Sequence, residues 1–459
     1  MAQVVQTRSR ETGIELQDII SRLYHSNPSS FEVFVKFPKL LPEPIGLTET
    51  QRKNFHNVQI DSVGVGLANA AAPFLPVFLT RLGASSFEVG MLTAMPALTG
   101  LLLAIPLGQF LQNQRRIVPW FSAARLGVIS SYAATGLLAF LLKDQPLIIG
   151  ILAIWALATV PQTMLSITFS VVMNAVAGPN HRFDLMTRRW SLMGATTAVT
   201  VFMIGQLLDR LNFPINYQIV FISMSLGGLI SYYYSSRIHL DDIQIHKDDR
   251  QRLNFKAQFT EYLQLIRRER PFSSFVTKRF VFLTGQAMML PIIPLYLVRE
   301  VKASDSWIAT ISMTQTAIVI LGYLLWVRSS RRSGTRPILI WTTFGAALYP
   351  ILVSLTLDVR WITVFAGING IFQAGLNLVF FDELMKTVPT EYSSTFVALA
   401  QGLQYFSAVL SPIFATFLGD TFGWSVALMV SGGFQLAGFA MFALNWPKVE
   451  LPAKAPVSS

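Results

Sequence analysis

The sequence predicts an all-α membrane protein with twelve transmembrane helices arranged as two six-helix pseudo-repeats. Apolar runs of about 20 residues, the length of helix that crosses a hydrocarbon core of about 30 Å, recur about a dozen times. Of all residues, 52% are hydrophobic and only 13% are charged. A proline motif that occurs in both halves indicates the repeat and is described below.

Short polar connections separate the predicted spans. The first half holds spans at residues 58–80, 87–111, 117–142, 146–176, 190–208 and 217–235. The second half holds spans at 280–298, 307–327, 337–357, 361–381, 395–418 and 424–445. We therefore expect a cytosolic N-terminal extension (1–53), a six-helix half (54–236), a cytosolic central loop (237–279), a second six-helix half (280–446) and a cytosolic tail (447–459).

Basic residues alternate between the two sides of this predicted bundle. Besides the central loop, the richer side carries Arg115, Arg116, Arg182, Arg188, Arg189, Arg328, Arg331, Arg332, Arg336 and Lys386. The poorer side carries Arg81, Lys143, Arg210, Arg299, Lys302 and Arg360. Because basic loops stay in the cytosol, the richer side and both termini are predicted to be cytosolic, in the cell (inner) membrane. The net charge of +11 is then a topology signal, and no nucleic-acid partner is expected.

The segments outside the spans carry two further expectations. Phe255, Phe259 and Tyr262 recur at helical spacing beside arginines, which predicts an amphipathic helix of the central loop at the lipid headgroups. No basic segment with a cleavage site precedes the first span, so no removable signal peptide is expected.

A pair of prolines occurs at matching depth in the first and seventh spans. Pro73 and Pro76 precede Arg81, and Pro291 and Pro294 precede Arg299 at the same spacing. This correspondence favours a duplication of six spans, an architecture in which substrates bind near the midplane between the halves.

The six-plus-six layout, the long central loop and the short basic loops after the second and eighth spans resemble the major facilitator superfamily of secondary transporters, over about residues 54–446. That family carries a glycine, an aspartate and basic residues after the second span. Here Gly108 and Arg115 match, whereas Gln112 stands at the acidic position. The resemblance implies alternating-access transport, with the first, fourth, seventh and tenth helices lining a central cavity.

Ionisable residues inside a span are costly and usually functional. Asp61 is the only carboxylate, and Arg125 the only basic residue, well inside a predicted span, and both lie about two turns from the same face. We predict that they pair, as a structural ion pair, as a gate or as a protonatable coupling site at Asp61. The positive neighbour opposes proton uptake. Asp382 and Glu383, at the end of the tenth span, are further gating or coupling candidates.

Uncharged polar residues form stripes at four-residue spacing, which places them on one face of each helix. Lipid offers such groups no partner, so the stripes line a cavity or join helices as interhelical hydrogen bonds. The cavity candidates are Asn69, Gln162, Ser166, Ser170, Gln286, Asn369, Gln373 and Asn377, with Asn174, Gln401 and Gln404 as additions.

These features predict a monomeric transporter of a small organic solute, driven by an ion gradient or working as a uniporter, with efflux favoured by family precedent. No large single-sign charge is expected in the cavity, which favours a neutral, zwitterionic or weakly charged solute. The alternative is a transporter-like assembly factor for a pigment or cofactor. An enzyme, a metal site and a cofactor are not expected, because the chain has no cysteine, no HExxH motif and no histidine inside a span.

Overall fold

The computed structural model describes residues 47–112, 114–240, 269–387 and 393–444. Residues 1–46 of the predicted extension, the predicted amphipathic helix around Phe255 and the tail lie outside the described residues. Within them the chain is helical, without a strand, and 12 segments are long and apolar enough to cross a membrane. The predicted fold class is confirmed.

The described helices follow one another along the chain with short connections. In order they are Glu49–Asn69, Phe74–Arg81, Ser86–Gln112, Val118–Leu141, Asp144–Arg210, Ile215–Ser236, Arg270–Arg299, Asp305–Ser333, Thr335–Ser354, Val359–Thr387, Ser393–Phe422 and Trp424–Leu444. The first two together form the first span, and Asp144–Arg210 contains the fourth and fifth spans, Asp144–Gly178 and Leu185–Arg210.

Several helices begin before the predicted spans do. The first begins at Glu49, where Thr48 forms a capping box: its Oγ1 accepts from Gln51 N (3.2 Å) and its N–H donates to Gln51 Oε1 (3.1 Å). The seventh span begins at Arg270 instead of residue 280. An apolar run marks only the part of a helix within the hydrocarbon, whereas caps and hydrogen bonds extend the helix beyond it.

The proline motif has different consequences in the two halves. Proline lacks the N–H that an α-helix needs. In the first span the helix stops at Asn69, Ala72 N donates to the Asn69 carbonyl (3.0 Å), and a new helix starts after Pro73. In the seventh span Pro291 and Pro294 lie inside one continuous helix.

The fourth and fifth spans join at Gly178, whose backbone (φ 63°, ψ −177°) interrupts the helix. Only glycine adopts this region without strain. Helical geometry resumes directly afterwards, so the residues predicted as a loop between the spans are largely helical. Arg189, assigned from the sequence to that loop, lies inside the bundle.

The two halves meet along two helix pairs, the second span against the eleventh and the fifth against the eighth. Small residues allow close approach there: a Cβ on Gly205 would lie 2.1 Å from Ala309 Cβ, and one on Gly90 would lie 3.1 Å from Thr416 Cγ2. Below, the end of the bundle where the first span finishes is called the Arg81 end, and the opposite end the Arg115 end.

Candidate functional site

Asp61 is fully buried in the first span and is held by two neighbouring helices. Ser231 Oγ donates to Asp61 Oδ1 at 2.6 Å, from the sixth span. Arg125 Nη2, from the third span, lies 3.3 Å from Asp61 Oδ2. The ion pair expected from the sequence is therefore present, and the close helix packing around Gly64, where a Cβ would lie 2.6 Å from Ser231 N, holds the first and sixth spans together.

A second cation, Arg189, joins this ion pair. Its Nη2 lies 4.0 Å from Asp61 Oδ2, its side chain is 4% exposed, and its guanidinium lies 4.5 Å from the centre of the Phe169 ring. The expectation that Arg125 is the only basic residue deep in a span is wrong. The fifth span begins at Leu185 and not at residue 190 as predicted, which places Arg189 a turn inside it.

The cluster of Asp61, Arg125 and Arg189 contains two positive charges and one negative charge. Nε of each arginine has no hydrogen-bond partner among the described residues. A buried charge without a counter-charge is costly, and removing the charge of Asp61 would leave both guanidinium groups unbalanced.

A cavity of about 290 Å³ lies between the seventh, tenth and eleventh spans. Gln286, Gln373 and Asn377, three of the predicted cavity candidates, line it together with the additions Gln401 and Gln404. Gln286 Nε2 donates to Gln373 Oε1 at 2.9 Å across the seventh and tenth spans. These side chains thus both join helices and line a cavity, so the two expected roles of the stripes coexist.

The other predicted cavity residues lie elsewhere. Asn369 is 1% exposed, and neither of its amide atoms has a partner among the described residues, so it is buried between helices. Asn69 is exposed, with its Nδ2 3.9 Å from Met193 Sδ. The fourth-span stripe is exposed and outside the lining of this cavity: Gln162, Ser166, Ser170 and Asn174.

Arg279 also lines the cavity, although the hydropathy pattern predicted it at the end of the central loop. Because the seventh helix begins at Arg270, Arg279 is carried into the span. Its Nη2 donates to Gln404 Oε1 at 2.8 Å, and its guanidinium lies 5.7 Å from the Phe380 ring centre. One cation therefore lines this cavity, where the sequence predicted no large single-sign charge.

Asp382 and Glu383 connect the end of the tenth span to the start of the ninth. Glu383 is buried, accepts a hydrogen bond from Thr335 Oγ1 and pairs with Lys386 at 2.9 Å. Lys386 also lies 2.7 Å from Asp382 Oδ2. Burial lowers the pKa of Lys386, but its hydrogen bonds to Asp382 and Glu383 outweigh burial and raise the pKa overall. Both carboxylates are thus engaged by Thr335 and Lys386.

At the Arg81 end, polar contacts join the two halves around Asp305, the first residue of the eighth helix. Arg81 Nε donates to Asp305 Oδ1 at 2.9 Å, and Tyr217 OH donates to the same atom at 2.7 Å. Asp209 Oδ1 accepts from Asp305 N at 3.0 Å, which places a carboxylate at the positive N-terminus of the eighth helix.

The second half makes the reciprocal contact. Arg299 Nη1 donates to Ser86 Oγ and its Nη2 to the Ala84 carbonyl, both at 2.7 Å, and Ser86 Oγ donates to Asp420 Oδ1 at 2.6 Å. Arg81 and Arg299 occupy equivalent positions in the repeat, and each reaches the start of a helix in the other half. We call these contacts the clasp. Its signal in the sequence was an arginine after each proline pair, on the side poor in basic residues.

Comparison with known proteins agrees with this architecture. Residues 279–459 match the family model "Major Facilitator Superfamily". No curated protein matches the chain by sequence.

Solved transporter structures share the fold across most of the chain. The nucleoside transporter NupG superposes with a TM-score of 0.65 at 11% identity, covering 85% of this chain and 99% of that one. A bacterial homologue of the human lysosomal transporter Spinster, in an inward-facing and occupied conformation, gives 0.64 at 12% identity, covering 87% and 97%. A POT family transporter in complex with a thioalcohol-conjugated peptide gives 0.67 at 9% identity, covering 86% and 98%.

The second half of the chain thus matches the Major Facilitator Superfamily, and the described bundle has the fold of solved multi-pass membrane transporters.

Proposed function

We propose that the protein is a secondary transporter that moves a small organic solute across the membrane by alternating access. The observation that carries this proposal is the clasp, because reciprocal contacts at one end of two pseudo-repeats form a gate that can open and close as a unit. The cavity between the seventh, tenth and eleventh spans is the substrate site in this proposal.

The positions of basic residues give the proposed orientation. Arg115 and Arg116 lie in a loop at the Arg115 end, opposite the clasp. Because positive loops remain in the cytosol, we propose that the Arg115 end and both termini are cytosolic and that the clasp closes the outer face of the cell membrane. We propose that the protein acts as a monomer, because one chain supplies both halves of the proposed gate.

The relatives in structure support a polar organic solute. One is a nucleoside transporter, and a POT family transporter was crystallised with 5-aminolevulinic acid. Gln286, Gln373 and Asn377 offer amide donors and acceptors of the kind that orient such molecules.

The ion cluster offers a site for coupling, whereas the direction is proposed from the precedent of the resembled family. We propose that any proton coupling passes through Asp61, which is buried in the first span between Arg125 and Arg189. Efflux is the proposed direction, and a proton gradient directed inward would drive it.

The test combines metabolite profiles with reconstituted flux. A solute that accumulates inside cells lacking the gene and is depleted outside identifies the export substrate. The purified protein in proteoliposomes should then exchange that labelled solute, and an inward proton gradient should accelerate its export. A protein that supports no flux of any solute altered in the profiles would contradict the proposal.

A further inference from the structure

We infer that the transported solute carries an anionic group, such as a carboxylate, and that Arg279 is the specificity-determining residue that binds it. This inference rests on the proposed function, because it assigns a substrate class to the same cavity. It narrows the neutral, zwitterionic or weakly charged solute expected from the sequence to a solute with an anionic group.

The charge of the cavity comes from a single described lining residue. Among the described residues that line it, Arg279 alone is charged, and the others are amides or apolar side chains. Leu283, Leu376 and Phe380 provide an apolar wall, whereas Gln286 and Gln401 provide a polar one. A lining with one fixed cation, amides and an apolar wall fits a small organic monoanion.

The guanidinium group of Arg279 has few hydrogen-bond partners among the described residues. Arg279 is partly exposed, and its one described hydrogen bond goes from Nη2 to Gln404 Oε1. A guanidinium carries several N–H donors in a planar fork that matches a carboxylate. A neutral amide oxygen satisfies one donor and leaves the charge unbalanced, so an anion improves both the hydrogen bonding and the electrostatics.

The acidic groups of the tenth helix are paired with other residues. Glu383 is on the same helix as the cavity residues Phe380 and Leu384, but it bonds Thr335 at the start of the ninth helix and pairs with Lys386. Asp382 pairs with Lys386 as well. Both carboxylates are therefore engaged away from Arg279 and do not serve as its counter-ion.

The buried ion cluster of the first half also carries a net positive charge. The cluster of Asp61, Arg125 and Arg189 has an excess positive charge in a buried environment, where charge is weakly screened. This excess charge has the same sign as Arg279 and favours an anion within the bundle. A cavity of about 290 Å³ is at the small end of ligand pockets, which suits a compact solute.

The experiment measures binding of matched charged and neutral probes to the purified full-length protein in detergent. The probes are benzoate with benzamide and 4-phenylbutyrate with 4-phenylbutyramide, which differ within each pair by the carboxylate. We expect at least one carboxylate to bind about tenfold more tightly than its amide, the ratio that corresponds to a charge-assisted hydrogen bond.

Variants assign this preference to Arg279. Arg279→Gln should abolish the preference for the carboxylate while keeping an amide that can bond Gln404, and Arg279→Lys should retain part of it. The matched control is Arg328→Gln, which removes the same charge from an exposed position and should leave the preference unchanged. Unfolding temperatures measured without probe show whether each variant is folded.

The outcomes separate this inference from the proposed function. Carboxylates that bind no better than their amides, or a preference that survives in Arg279→Gln, would overturn the inference even if proteoliposomes transport a neutral solute. Specific, Arg279-dependent binding without any flux would support the inference and contradict the proposed function.

Discussion

At the scale of single residues, the most consequential arrangement is two buried arginines that share one carboxylate. Arg125 lies nearer to Asp61 than Arg189 does, at 3.3 Å against 4.0 Å. Asp61 and Arg125 alone would form a neutral pair, so Arg189 supplies the excess charge. The cluster therefore predicts that its two arginines respond differently to substitution.

We expect Asp61→Asn to destabilise the protein by about 3–5 kcal/mol, because two buried cations lose their counter-charge. Arg189→Gln should change stability by less than about 1 kcal/mol, because it leaves the neutral pair intact and removes the excess charge. The measurement is unfolding of the purified protein in detergent, with Ser231→Ala as a control that removes one hydrogen bond to Asp61. Equal losses for Arg189→Gln and Arg125→Gln would instead mean that both arginines are required as partners of Asp61.

At the scale of helices, the connection between the fourth and fifth spans depends on Gly178. Its φ of 63° and ψ of −177° lie in a region that a side chain disfavours, although a Cβ would have room, with its nearest contact 3.4 Å away at Gln51 Nε2. The cost of a substitution is therefore backbone strain and not a clash.

We expect Gly178→Ala to destabilise the protein by about 1–3 kcal/mol, the usual cost of a residue held in a sparsely populated backbone region. The control is Gly108→Ala, in the helix Ser86–Gln112, where an added Cβ meets nothing within 4 Å and helix propensity favours alanine. Thermal unfolding should therefore separate the two variants in opposite directions. A Gly178→Ala protein as stable as the parent would refute the strain argument.

Hydropathy predicts the position of the spans, but not where each helix begins and ends. Apolar runs locate the spans because they must match the bilayer, and the cost of burying charge predicts the pairing of Asp61 with Arg125. Arg189 and Arg279 were assigned to loops because hydropathy falls where a helix leaves the hydrocarbon, whereas the helix itself continues. Their positions depend on where the helices begin and kink, which hydrogen bonds and Gly178 determine and hydropathy does not reveal.

At the scale of the whole molecule, the clasp relates the two pseudo-repeats to one another. Arg81 and Arg299 are equivalent positions, and each bonds the start of a helix in the opposite half, at Asp305 and at Ser86. Contacts that join different halves could not be predicted from hydropathy, because the relative placement of the halves is a tertiary property. Their symmetry means that both must break when the Arg81 end opens.

We expect Asp305→Asn to shift the molecule towards a state open at the Arg81 end. The substitution weakens the charge-assisted bonds from Arg81 and Tyr217, and the loss of one such bond, about 1.5–3 kcal/mol, changes the balance between the two states by about tenfold or more.

The readout is a single cysteine introduced at Asn377, an exposed cavity residue, in a chain that has no other cysteine. A membrane-impermeant maleimide added at the Arg81 side should label Asn377→Cys faster when Asp305→Asn is present, and slower when added at the Arg115 side. Asp358→Asn removes an exposed carboxylate at the Arg81 end and should leave both rates unchanged. When a gate opens one side of the cavity, the other side closes, so the two labelling rates should change in opposite directions. Faster labelling from both sides at once would indicate a loosened bundle. Unchanged labelling would mean that Asp305 does not hold the halves together.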